Sequence, residues 1–228
     1  HLNLSRNQIS DRGARALGAA EGCAAALQPV LEALRLPLVV VVGAGDLLGP
    51  VRAALLRHCQ RPRVAPQPLP GAVAFGMALD RGRAVPLELP PARPDDIAAL
   101  PYTGGTTGVA RGVVLLQRQL LANLRQAEQW LQPVLQGRPL DEPFTTVAAL
   151  PLHHIFGFTL AMLLTLLHGG RLLLVPDPAD TDALAALLQR ERFHLFPSLN
   201  PVFEALARHP AADRIDWSGL RLSLAGGM

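Results

Sequence analysis

The sequence predicts an α/β fold built around a mainly parallel sheet, and three observations carry that prediction. Short apolar, β-branched runs alternate along the chain with stretches of helical periodicity, the signature of strand–helix–strand units. The clearest run, residues 36–42, is continuously apolar, as a strand buried on both faces must be. Of the 228 residues, 50% are hydrophobic and 17% charged, against about 25% charged in an average soluble domain, so a sizeable core is available.

The elements follow in order. Residues 11–34 carry Ala and Leu at helical spacing and predict a helix, 36–42 a strand, and 47–59 a second helix. Residues 60–98 contain Pro62, Pro66, Pro68, Pro70, Pro86, Pro90, Pro91 and Pro94, and read as a surface connection or subdomain boundary. This divides the chain into an α/β segment over 1–98 and another over 99–228. In the second, 99–103 is a short strand, 103–112 a Gly/Thr loop, 113–116 a strand and 119–135 a helix. Strands at 145–150, 170–175, 194–196 and 220–224 then alternate with helices at 156–168, 180–192 and 201–208. Asp180 or Thr181 is a suitable N-cap for the 180–192 helix. Residues 2–9 echo a leucine-rich repeat, but no second copy follows, and one copy cannot bury its own face.

Composition excludes several classes. The net charge is +3 and every basic residue is Arg; lysine is absent from the chain. The arginines are scattered and aromatics amount to 4%, which supplies neither a phosphate-tracking stripe nor a base-stacking platform, so no nucleic-acid partner is expected. Cys23 and Cys59 fit no metal-ligand spacing and no disulfide framework, which points to a reducing, cytoplasmic compartment. The longest largely apolar run, 160–167, is far short of the roughly 20 residues a membrane span needs. The first residues read as no secretory leader, and the chain is expected to be a piece of a longer one.

Two glycine patterns compete for a phosphate. Gly43-Ala44-Gly45-Asp46-Leu47-Leu48-Gly49 lies after a strand and before a helix, like a dinucleotide-binding turn with one residue too many. The acidic residue expected about 20 positions on is missing from 61–66, so a plain strand-to-helix turn is the better reading. Residues 102–112, Tyr-Thr-Gly-Gly-Thr-Thr-Gly-Val-Ala-Arg-Gly, are more specific. Backbone N–H groups and hydroxyls of Thr103, Gly104, Gly105, Thr106, Thr107 and Gly108 can converge on an anion, and Arg111 can close on it with a bidentate fork. The P-loop pattern is not met, and a two-residue hairpin turn has no need of so many Gly and Thr residues. His153-His154 on their own would read as a strand-end pair, with no Cys or acid at ligand spacing, and no metal site is expected.

The 102–112 string resembles the signature loop of the adenylate-forming superfamily, which includes acyl-CoA synthetases, firefly luciferase and non-ribosomal peptide adenylation domains. Tyr102–Gly108 and Gly112 match that loop, and Gly104 and Ala110 look most like bacterial long-chain fatty acid–CoA ligases. Collinear blocks agree: Ala149-Leu150-Pro151-Leu152-His153-His154-Ile155-Phe156-Gly157, Phe196-Pro197-Ser198-Leu199-Asn200-Pro201, Leu222-Ser223-Leu224-Ala225-Gly226-Gly227, and upstream Gln8–Arg15. Arg111 replaces the loop's usual Lys, Gln117 stands where the family usually has His, and Ser198 where related ligases usually have Gly, implying a narrower acyl tunnel.

The resemblance implies that both segments belong to one large N-terminal AMP-binding domain, incomplete at both ends. It implies ATP-dependent adenylation of a fatty acid followed by thioester formation with CoA, with Mg²⁺ as cofactor held mainly by a ligand outside residues 1–228. His154 becomes the candidate catalytic residue, Thr103–Gly108 and Arg111 the nucleotide site, and Ser198, Asn200, Gly226 and Gly227 the acyl pocket. The partners are small molecules (fatty acid, ATP, CoA). Localisation is cytoplasmic, peripheral contact with the inner membrane stays open, and nothing sets an oligomeric state. Two rival readings are a non-catalytic remnant of the fold, favoured by Arg111 and the missing lysine, and an acyl-AMP ligase serving a carrier protein. The polypeptide 1–228 by itself is expected to be inactive.

Overall fold

A computed structural model describes residues 17–20, 28–29, 31, 38–43, 45–59, 69–86, 91–103, 111–135 and 142–226. They fall into two units, 1–90 and 91–228. In the first, β1 (Leu17–Ala20), β2 (Val39–Val42) and β3 (Val73–Ala74) form a sheet in that order, all parallel, with Leu17 opposite Val39 and Val40 opposite Val73. The four consecutive valines of β2 suit the central position, since branching at Cβ favours extended backbone.

Two expectations are corrected here. The helix predicted over 11–34 is interrupted by β1. Its Leu-Gly-Ala-Ala sequence has helix formers at three of four positions, but pairing with β2 satisfies the backbone and overrides propensity. The Pro-rich stretch 60–98 does contain the division between the two units, but it is no mere connection: it holds β3, helix α2 (Phe75–Arg83) and the start of the next hairpin. The interval between Pro70 and Pro86 contains no proline, so nothing in it forbids regular structure.

Helix α1 (Pro50–Cys59) follows the glycine-rich turn after β2, with proline at its first position where the absent N–H has no intrahelical partner to lose. A Cβ on Gly45 would stand 3.1 Å from the backbone Cα of Ala53, so the second glycine is there for close helix packing. Gly49 adopts φ 75°, open to glycine without strain. The Asp46 carboxylate accepts from the Gly43 N–H at 2.7 Å. These are the needs of a tight strand-to-helix turn, as the sequence reading favoured.

The second unit opens with an irregular hairpin. β4 (Ile97–Ala99) pairs antiparallel with β7 (Leu115–Leu116), and β5 (Tyr102–Thr103) with β6 (Arg111–Gly112). The strand predicted over 113–116 is therefore confined to 115–116, and β6 lies in the stretch predicted as loop. Pro101 explains the break between the two ladders: it has no N–H to donate, and its carbonyl alone is used, accepting from Val113 N at 2.9 Å. Helix α3 (Gln117–Leu135) starts at once, its first N–H groups taken by the carbonyls of Asp96 and Pro94.

Beyond it lies a four-stranded parallel sheet of β8 (Thr145–Ala148), β9 (Arg171–Leu174), β10 (Leu195–Ser198) and β11 (Leu222–Ala225), ordered β11-β10-β8-β9. Helices cover both faces. Leu184, Ala185 and Leu188 of α5 (Thr181–Leu188) and Leu206 of α6 (Asn200–Ala207) pack with Val147, Leu173, Phe193 and Phe196. Leu124 and Leu131 of α3 pack with Leu164 on the other side. Each fully buried Leu or Phe contributes about 1.5–3 kcal/mol by leaving water. The Asp180 carboxylate caps α5, accepting from Ala183 N at 2.9 Å, which decides between the two caps the sequence offered.

The helix predicted over 156–168 runs over 155–167, and most of it, Gly157–Leu163, is a π-helical stretch that passes into α4 (Leu164–Leu167). Leu164 N donates five residues back, to Thr159 O. The helix closes on a Schellman motif: Gly169, at φ 60°, donates to Leu166 O, and Gly170 N donates to Thr165 O.

Candidate functional site

Of the nucleotide residues read from the sequence, Thr103 and Arg111 are described; Gly104, Gly105, Thr106, Thr107 and Gly108 lie outside the described residues. Thr103 and Arg111 stand directly opposite each other as the last ladder pair of the β5/β6 hairpin, both exposed. Directly opposed residues of an antiparallel pair share one face, so the first and last polar groups of the Gly/Thr loop come together on one side of its mouth. The neighbouring pair, Tyr102 and Gly112, occupies the opposite face.

The second cluster sits at the carboxyl ends of the parallel strands, where ligands of open α/β sheets bind. Ser198 ends β10 and is fully buried; its hydroxyl donates to Ala149 O at 3.4 Å, and its own carbonyl accepts from Gly226 N at 3.3 Å. The ends of β8, β10 and β11 are thus tied together. The Phe156 ring edge lies against Gly226, where a Cβ would sit 3.5 Å from the ring. Asn200, the first residue of α6, is exposed, and Gly227 lies outside the described residues.

His154 sits at the start of the helix over this edge, and it is exposed. Its backbone N–H donates to Pro151 O at 3.0 Å and its carbonyl accepts from Phe158 N at 2.8 Å. Its Nδ1 accepts from Phe156 N at 3.4 Å, a long capping contact that leaves Nε2 as the nitrogen not used by the helix. Gly157 allows the chain to turn here: a Cβ on it would fall 2.4 Å from Pro151 O. The structure therefore gathers His154, Ser198 and Gly226 at one sheet edge and Thr103 and Arg111 at one hairpin tip.

A titratable group outside that gathering escaped the sequence reading. His194 lies at the amino end of β10, buried, with Nδ1 accepting from Thr145 N at 3.0 Å and its ring stacked on Phe144. Desolvation by burial lowers its pKa below the ordinary 6.5; Glu142, 3.7 Å from Nε2, works the other way, while Arg221 and Arg192 add to the lowering. A lone His inside a short apolar strand carries no periodic signal, so nothing in the sequence marked it. Tyr102 and Phe156 lie within the motif blocks, but the contact of Tyr102 with Gly112 follows from strand register and that of Phe156 with Gly226 from helix-to-sheet packing.

Comparison with known proteins bears on the whole chain. The sequence profile of the AMP-binding enzyme family matches residues 6–228. A long-chain-fatty-acid–CoA ligase of Yersinia pestis is 37% identical over 226 residues, covering 97% of this chain and 39% of that protein. The ligase of the same name from Haemophilus influenzae is 31% identical over 224 residues, covering 97% of this chain and 40% of that protein. The chain thus spans about two fifths of the length of these relatives. An amide bond synthetase from Marinactinospora thermotolerans superposes with a TM-score of 0.57 at 25% identity, over 92% of this chain and 35% of that one. A red-emitting luciferase from Phrixothrix hirtus, at 17% identity, shares the fold with a TM-score of 0.61 over 94% of this chain and 37% of its own. A parallel sheet with helices on both faces, the hairpin-borne Gly/Thr loop and a profile match from residue 6 to residue 228 agree: the chain belongs to the AMP-binding enzyme family.

Proposed function

We propose that this chain is the segment of a long-chain fatty acid–CoA ligase that grips the phosphates of ATP and forms part of the acyl site. The observation that carries the proposal is the juxtaposition of Thr103 and Arg111 across the mouth of the Gly/Thr loop, in a chain that is 37% identical to such a ligase over nearly all its length. In the reaction, the fatty carboxylate oxygen attacks the α-phosphorus of ATP, the bond to the β-phosphate oxygen breaks, and acyl-AMP and pyrophosphate result. The CoA thiol then loses its proton and attacks the acyl carbonyl, expelling AMP.

Charge builds on the leaving pyrophosphate in the first step, so fixed donors aimed there lower the barrier. Thr103, the loop N–H groups and the Arg111 guanidinium are those donors in this reading. Arg111 forks onto two oxygens where an ammonium would present a rotating point charge, so the exchange for Lys is not neutral. His154, through Nε2, faces the acyl and adenylate groups from the sheet edge. Among the described residues no three His, Cys, Asp or Glu side chains converge to hold a metal ion, and no step is assigned to Mg²⁺. We place the reaction in the cytoplasm on the strength of two cysteines with no framework; among the described residues no helix is long and apolar enough to cross a membrane.

The test is a chimera in which this chain replaces the matching segment of the Yersinia pestis ligase, assayed with palmitate, ATP and CoA. Palmitoyl-CoA formation is expected, with kcat/KM for ATP falling at least about tenfold in Arg111→Ala and rising in Arg111→Lys. A folded chimera that makes neither acyl-AMP nor acyl-CoA overturns the proposal. The polypeptide 1–228 alone is expected to release no pyrophosphate.

A further inference from the structure

The Tyr102–Gly112 pair belongs to the signature string, yet no role has been given to it. Tyr102 is the single tyrosine of the chain. It is half-buried and directly opposite Gly112 in the β5/β6 ladder. A Cβ built on Gly112 would lie 3.1 Å from the ring Cζ and 3.3 and 3.4 Å from the two Cε carbons. The far end of the ring therefore covers the glycine Cα at a distance only glycine permits without displacement. An aromatic ring laid across a facing glycine restores the side-chain contact the glycine lacks and pins strand register. The ladder needs such a pin, because it is two pairs long and Pro101 breaks it on the near side.

The next ladder pair outward is Thr103 and Arg111. A one-residue slip would carry Arg111 to the opposite face, away from Thr103. We infer that Tyr102 is a positioning residue: its ring over Gly112 holds the register that sets Thr103 and Arg111 side by side, and through Arg111 it governs the grip on nucleotide phosphates. The inference rests on the nucleotide reading given above, but its first half concerns only the ladder. The contact with Gly112 is made by ring carbons, which a phenylalanine also presents.

The experiment uses the 228-residue chain as wild type, Tyr102→Phe, Tyr102→Leu and Gly112→Ala. With one tyrosine, a ring-labelled sample gives one set of ring signals, and an NOE from that ring to the Gly112 Hα is expected, with the Hα shifted upfield. Amide exchange is then compared at Thr103, Arg111 and Val113 and, as a control for global loosening, at β8 and β10. Tyr102→Leu is expected to speed exchange about tenfold at the tip and not in the sheet, Gly112→Ala to do so more weakly, and Tyr102→Phe to restore wild-type rates. ATP titrated onto the same samples is expected to bind about tenfold more weakly to Tyr102→Leu and within twofold of wild type to Tyr102→Phe. Absence of the NOE in the wild type, or tip exchange unchanged in Tyr102→Leu, overturns the inference whatever ATP does, and so does exchange sped equally in tip and sheet. A tip loosened by Leu and restored by Phe, with ATP affinity unmoved, also overturns it while leaving the loop assignment intact. A wild-type chain with a firm ladder that takes up no ATP sinks the nucleotide reading itself and the phosphate half of the inference with it.

Discussion

The two edges of the parallel sheet in residues 91–228 each carry a histidine, and the contrast between them separates what holds the fold from what is available for chemistry. At the amino edge, His194 is buried, stacked on Phe144 and bonded to Thr145 N. Glu142 lies 3.3 Å from Arg192 and 3.7 Å from His194, so the charged groups there are occupied with one another. At the carboxyl edge, His154 is exposed and one of its nitrogens makes only a 3.4 Å contact with its own helix. The shifted pKa belongs to the amino edge, where a buried ring fits a structural socket. A perturbed titration marks a functional site only when the group is also reachable, and here reachability singles out the other histidine.

Substitutions can break or sharpen this contrast. The largest effect is expected from Gly157→Ala, whose Cβ would sit 2.4 Å from a backbone oxygen at the carboxyl edge. A loss of about 3 kcal/mol by urea unfolding is expected, together with a displaced His154 turn. Next is His194→Leu, which leaves the buried Thr145 N–H without its acceptor and is expected to cost about 2 kcal/mol. The same histidine ties stability to pH. Its folded-state pKa lies below 6.5, so between the two values the unfolded chain binds more protons, and stability rises with pH through that window. Its contribution is complete above pH 6.5 and is lost as pH falls toward the folded pKa; His194→Asn, which keeps an acceptor, should flatten that part of the profile.

Asp180→Ala removes the α5 cap and is expected to cost about 1 kcal/mol. His154→Ala is smallest in stability, within about 0.5 kcal/mol by thermal unfolding as for an exposed surface position. In the ligase chimera it should nevertheless lower kcat by about tenfold or more, while His194→Asn leaves kcat within about twofold. Equal effects of the two histidines on kcat would erase the distinction between the edges.

How far the sequence reached follows the same physics. The four strands and the longer helices of 145–225 were readable because each strand holds a short run of mostly apolar or β-branched residues and the helices between them repeat their apolar residues at helical spacing; Asp180 even announced the start of α5. β1 was hidden because Ala and Leu favour helix locally, and only pairing with the valines of β2 decides otherwise. α2 was hidden by prolines on either side of it that never enter it. The candidate site was named as a string, since Thr103, Arg111, His154, Ser198 and Gly226 all lie in the motif blocks. Its internal geometry was not legible: Tyr102 over Gly112 depends on register and Phe156 against Gly226 on helix-to-sheet packing, which no local pattern records.

The π-helical stretch over Gly157–Leu163 has a consequence in genetic terms. Such a stretch closes its hydrogen bonds one residue further back than an α-helix does, so deletion of a single codon within it would convert it to ordinary helix with every bond still made. The wider turn already absorbs one residue, so after that deletion His154 and Phe156 would keep nearly the same bearing on the sheet edge. The same deletion in the α-helical turn that follows, Leu164–Leu167, has no slack to take up and would turn everything on its amino side by about 100° about the axis. The helix over the carboxyl edge thus has one stretch that can lose a residue and a neighbouring one that cannot.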